Sequence, residues 1–96
     1  MKQNITYQQI PLFDLGQIVT TPQIPELLRH DEIAELLRLH IHGQWDGMHP
    51  QDAADNREAV GDECRIHSVY KVREHRVWVI TEADRCYTTV LFPSDY

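Results

Sequence analysis

Six histidines, two cysteines and an unevenly spread set of carboxylates are the groups in this chain that could do chemistry. A metal site needs ligands that converge. His40 and His42 are two apart in a segment that reads as helix, so they point to different sides. Cys64 and His67 are three apart in a segment that reads as strand and face opposite ways. No zinc-type spacing, phosphate loop, nucleophile elbow or metalloprotease helix motif occurs. Neither a metal nor another cofactor is therefore expected. Collectively, histidines with ordinary pKa values near ~6.5 would cancel much of the negative charge as pH falls, and solubility should fall with it.

The carboxylates are more telling. Asp46, Asp52, Asp55, Glu58, Asp62 and Glu63 face only Arg57 within residues 46–63, a net charge of −5. Residues 64–76 carry Arg65, Lys71, Arg73 and Arg76 against Glu74, a net of +3. Asp52, Asp55 and Glu58 recur every third residue and form one ridge if the segment is helical. Three charges over ~9 Å of helix are several-fold sparser than the one per ~1.7 Å of duplex DNA, so close mimicry of a duplex is excluded. A docking face for a basic groove on a protein partner fits better. The plainer reading is a solvated helix face. Nine Lys and Arg against fifteen Asp and Glu, net −6, argue against direct nucleic-acid binding, which needs a basic footprint.

A catalytic alternative draws on His67, Glu82 and Arg85. A base and a phosphate-holding arginine are what a small ribonuclease-like or RNA-binding toxin-type protein requires. The acidic balance opposes it, because RNA is a polyanion. Glu82, Asp84 and Arg85 also read simply as a hairpin turn, with Asp84 suited to turn geometry. Of the two tryptophans, Trp78 lies within an apolar strand-like run and is expected in the core. Trp45 sits in a loop between two glycines, where it lids the core or anchors a partner. The candidate binding set is Asp52, Asp55 and Glu58 with Trp45, and no catalytic residue is assigned.

The elements that must position these groups fit one domain of 96 residues and 11.3 kDa, with 42% apolar and 25% charged residues. Residues 1–11 read as a tail or an edge strand, and 12–96 as a single α+β domain. Gly16 marks a turn before a short strand at 18–21. Pro25 in a first helical position gives a short helix over about 25–30, with Ile24 at its boundary. Asp31 is the expected N-cap of the next helix. Its apolar stripe is Ile33, Leu36, Leu37 and Ile41, and Gly43 ends it. Pro50 opens a third helix that stops at Gly61. From Cys64 the period changes to two. Three strands with links at 73–76 and 83–86 make an antiparallel meander. An N-terminal short strand and two to three short helices followed by that three-stranded meander define the expected α+β fold, with an antiparallel sheet of three or four strands. Apolar residues on both parities of the strand at 77–80 call for cover on both faces, which a homodimer would supply.

Leu15-Gly16-Gln17-Ile18-Val19 with Thr21-Pro22, Gly43-Gln44-Trp45, and Val77 through Arg85 followed by Thr88 through Pro93 and Tyr96 carry a resemblance. Together they make residues 12–96 resemble a group of small proteins encoded on bacterial plasmids and phages. Some of that group are labelled modification subunits of type I restriction enzymes. Ninety-six residues with four glycines cannot supply the doubly wound cofactor domain such a subunit needs. The resemblance implies an accessory protein of a mobile element acting in a bacterial cytoplasm. An inhibitor of a host defence nuclease system, of anti-restriction or anti-CRISPR type, would suit that setting. Met1-Lys2-Gln3-Asn4 leads into no apolar run, and Val77 to Ile80 is far too short to span a bilayer. A cytoplasmic protein is expected, with Cys64 and Cys86 reduced, although a single bridge is open to them if their strands neighbour each other.

Overall fold

The computed structural model describes residues 10–96. In chain order the elements are β1 (Gln17–Thr20), α1 (Gln23–Leu27), α2 (His30–Ile41), α3 (Pro50–Asp62), β2 (Ile66–Val72), β3 (His75–Thr81) and β4 (Tyr87–Leu91), closed by a 3₁₀ turn at Pro93–Asp95. The fold is α+β. The expectation for the first eleven residues falls mostly outside the described residues, and Ile10 and Pro11 are not in a strand.

β2, β3 and β4 form the antiparallel meander, with Val69 opposite Trp78 and Val79 opposite Val90. The sheet order is β1-β4-β3-β2, and β1 runs parallel to β4. The sheet is therefore mixed and four-stranded, a correction to the all-antiparallel expectation. Gly16 makes the junction possible. Its φ is +66°, and a Cβ there would stand 2.3 Å from the Cys86 carbonyl oxygen, so only glycine lets the chain approach β4 this closely. The amides of Gln17 and Thr21 then bond the carbonyls of Cys86 and Val90.

Strand alternation puts Ser68, Tyr70, Val77, Val79, Thr81, Thr88 and Val90 on one face. On that face Val77, Val79 and Val90 pack with Ile24, Leu28 and Leu36 of the α1–α2 segment. A second cluster joins Phe13, Trp45, Ala53, Ala59 and Ile66 where α3 meets β2. The other sheet face holds Trp78, half-buried rather than in the core, with the Tyr96 ring 5.5 Å from its own. Ile80 and Leu91 on that face are buried within one chain, so they need no second copy to cover them.

Helix boundaries moved for local reasons. Ile24 is fully buried and lies inside α1, which shifts that helix two residues earlier than expected. Pro25 is tolerated because first-turn amides have no intrahelical partner. Asp31 does not cap α2. Glu32 does, accepting 2.8 Å from the Arg29 amide, while Asp31 pairs with the Arg29 side chain. Gly61 lies within α3, and Glu63 takes the left-handed conformation at the helix end. Arg85 supports that end, donating to the carbonyls of Ala59 (3.0 Å) and Cys64 (2.7 Å). Its charge also suits the negative pole of the helix. At the β2–β3 turn, Arg73 donates to the Leu27 carbonyl and pairs with Glu32, tying the hairpin to the first two helices.

Candidate docking surface

α3 is an amphipathic helix with a thin apolar side. Ala53 and Ala59 face the second core cluster, and Asn56 between them is buried. Small side chains let the helix approach β2 closely, and Asn56 uses that closeness. Its Nδ2 donates 2.9 Å to the His67 carbonyl, and its Oδ1 accepts from the His67 amide at 3.1 Å. An amide side chain thus stands where a neighbouring strand would and satisfies one residue of the open sheet edge.

With that side turned inward, Asp52, Asp55 and Glu58 are exposed. None of the three forms an ion pair with a described residue, and Asp55 accepts a hydrogen bond from Gln51 at 3.0 Å. The fourth member of the candidate set is not with them. Trp45 is 2% exposed and has no surface to offer a partner. It lids the core, and its Nε1 donates 2.7 Å to the Ser68 Oγ.

Trp45 begins a buried polar chain that runs through the protein. Ser68 Oγ lies 2.6 Å from His40 Nδ1, and His40 Nε2 lies 2.7 Å from Thr81 Oγ1. Thr81 Oγ1 is 2.6 Å from Thr88 Oγ1, which donates to the Leu15 carbonyl at 2.7 Å. Hydrogen counting orders the whole chain. Thr88 spends its proton on Leu15, so Thr81 donates to Thr88 and accepts from His40 Nε2–H. His40 Nδ1 then accepts from Ser68, which accepts from Trp45. Only a neutral imidazole protonated at Nε2 fits. Burial, with the cations of His67 and Arg85 adding to it, lowers the His40 pKa to about 3.

The sign of the resulting pH dependence is set. The unfolded chain binds a proton at His40 below pH ~6.5, and the native chain does not until about 3. Stability is therefore full above ~6.5 and is lost as pH falls through that window. His67 acts in the same direction, its pKa lowered by burial and by Arg65. Denaturant titrations at pH 7 and pH 5 should differ by about 2 kcal/mol from His40 alone. Equal midpoints at the two pH values would contradict a neutral, buried His40. The expected cancellation of charge by all six histidines is corrected as well, since His40 stays neutral at pH 5.

The catalytic alternative loses its phosphate-holding group. Both terminal nitrogens of Arg85 are engaged by backbone carbonyls, those of Ala59, Cys64, Glu82 and Ala83. Glu82 is paired with Arg65 at 3.2 Å. His67 is half-buried against Trp78, ring centroids 4.4 Å apart. Cys64 and Cys86 are both free and exposed. Among the described residues no group of three or more His, Cys, Asp or Glu is arranged to hold a metal ion, and no helix is long and apolar enough to cross a membrane.

Sequence reasoning weighed His40 as a metal ligand and Arg85 as a phosphate-holding or turn residue, and missed the structural role of each. His40 lies seven residues after Ile33 and four after Leu36, on the apolar stripe itself. That spacing was the available signal. For Arg85 the local turn was legible, since it bonds the carbonyls of Glu82 and Ala83, but its hold on Ala59 and Cys64 had no signal because they lie more than twenty residues earlier. No family model, curated protein or solved structure matches the chain.

Proposed function

We propose that this chain is a non-catalytic protein-interaction module of a mobile element, and that the acidic face of α3 docks on a basic groove of a host nucleic-acid-handling protein. Inhibition of a restriction or CRISPR-type defence nuclease is the activity this best suits. One observation carries the reading. Asp52, Asp55 and Glu58 stand exposed along one helix with no cation of the described residues paired to them. Exposed carboxylates without an ion-pair partner keep their charge available to what comes from outside, through steering and complementarity.

Charge reversal tests it. Asp52→Lys, Asp55→Lys and Glu58→Lys together should weaken binding to the basic protein that co-purifies from the host by on the order of 30-fold, taking about 0.7 kcal/mol for each exposed charge. The circular dichroism spectrum should show the fold retained, because all three side chains are exposed and none packs in the core. Undiminished affinity in the triple variant would remove the helix face from the mechanism.

A further inference from the structure

The β2 edge is guarded at one residue only. His67 directs its N–H and C=O away from β3 and into the Asn56 side chain. By strand alternation Val69 and Lys71 direct theirs the same way, and no hydrogen bond reaches either from the described residues outside β2 and β3. The space beside them is open. A cleft of about 610 Å³ lies there, between β2 and the loop and first turn leading into α3. Val69, Tyr70 and Lys71 all line it. Successive side chains of a strand point to opposite faces, so three in a row can meet one cleft only along the strand's edge.

A second cleft of about 400 Å³ adjoins it and shares Met48, Asp52 and Val69. Among the described residues, the buried His67 Nε2, which lines the second cleft, has no hydrogen-bond partner. Buried polar groups are nearly always satisfied, so it marks where a ligand's polar atom belongs. Tyr70 also lines the first cleft, but its hydroxyl is turned to Ser68 and Trp45 on the core face of the strand. The wall opposite the strand carries Asp46 and Asp52, neither in an ion pair with a described residue.

We propose that this edge cleft binds an extended segment of a partner protein, which adds as a fifth strand beside Val69 and Lys71 and sets a lysine or arginine against Asp46 and Asp52. The inference rests on the docking role given to α3 and names how the partner is held. Main-chain hydrogen bonds supply the affinity and the aspartates the selectivity, the usual division of labour in strand addition. Lys71 and Arg76 at the other side of the cleft suit the segment's carboxyl end. A second copy of this acidic chain suits the aspartate wall poorly.

The probe is a fluorescein-labelled peptide, Thr-Val-Lys-Val-Lys-Val-Thr, with two analogues. One is N-methylated at alternate amides, and the other carries glutamate in place of lysine. The parent should bind the full-length protein, and each analogue should bind at least tenfold more weakly. Hydrogen exchange at the Val69 and Lys71 amides should slow at least tenfold on saturation. Asp52→Asn should weaken the parent several-fold without altering exchange in the free protein. Four outcomes would overturn strand addition: no binding at millimolar peptide, equal binding of the N-methylated analogue, unchanged exchange at Val69, or protection of Val69 by self-association without peptide. Failure here is separable from failure of the docking role. If the host partner is captured through α3 and released by Glu58→Lys, which lies outside both clefts, while Val69 still exchanges freely in the complex, docking stands and strand addition falls.

Discussion

Replacing His40 by leucine is expected to destabilise the fold by about 2–4 kcal/mol, read as a shift in denaturation midpoint at unchanged slope. Leucine is close to the imidazole in volume, so the loss comes from hydrogen bonds rather than from a cavity. Ser68 loses the acceptor for its proton, and Thr81 loses its donor, both at sites with no exposed surface. Each stranded hydroxyl costs about 1–3 kcal/mol, whereas removing both partners of a bond is close to neutral. Adding Thr81→Val to His40→Leu should recover little of this, because Thr88 keeps its bond to the Leu15 carbonyl but loses the proton of Thr81 and becomes the acceptor without a donor in its place. The variant should also lose the His40 share of the difference between pH 7 and pH 5. A single variant as stable as the parent, or a double variant that regains the parent's stability, would break the proton ordering deduced for this chain.

Gly16→Ala should be more damaging still, by about 3–5 kcal/mol. Two independent penalties meet at this position. An alanine must hold a φ of +66°, and its Cβ must avoid backbone atoms of Arg85 and Cys86 at 2.3 to 2.5 Å. Those atoms belong to the β4 approach and cannot swing aside as a flexible side chain would. Relief comes only by separating β1 from β4, so amide protection at Gln17 and Thr21 should vanish first. A fall in melting temperature of roughly 15 °C or more is expected. Gly61→Ala is the control. Its Cβ would meet nothing within 4 Å inside α3, and the change should stabilise by about 0.5–1 kcal/mol. If both alanines behaved alike, the parallel junction of β1 with β4 would be in doubt.

Local periodicity carried much of the fold. The stripe of Ile33, Leu36, Leu37 and Ile41 is enough to place α2, because burial of one helix face has a spacing that composition alone cannot imitate. Alternation from Ile66 onward, with two short links, is enough to place the meander. The outward position of Asp52, Asp55 and Glu58 follows from the same arithmetic once Ala53 and Ala59 are taken as the inner side. The cleft at the β2 edge is different. It lies between β2 and the loop and first turn of α3, and no spacing within either element reports how the two pack on each other.

The amino-acid order by itself determined which segments are helix and strand, which of their sides are wet, and where the negative charge gathers, since each depends on neighbours within a few residues. Tertiary structure alone decided that β1 lies parallel to β4 about seventy residues away, that Trp45 and His40 close a buried proton-ordered chain, and that Arg85 holds the end of α3 rather than a phosphate. Those outcomes depend on which groups meet across the core. A buried hydrogen bond stabilises only when both its partners arrive together, and that arrival is a property of the packed chain rather than of any one stretch of it.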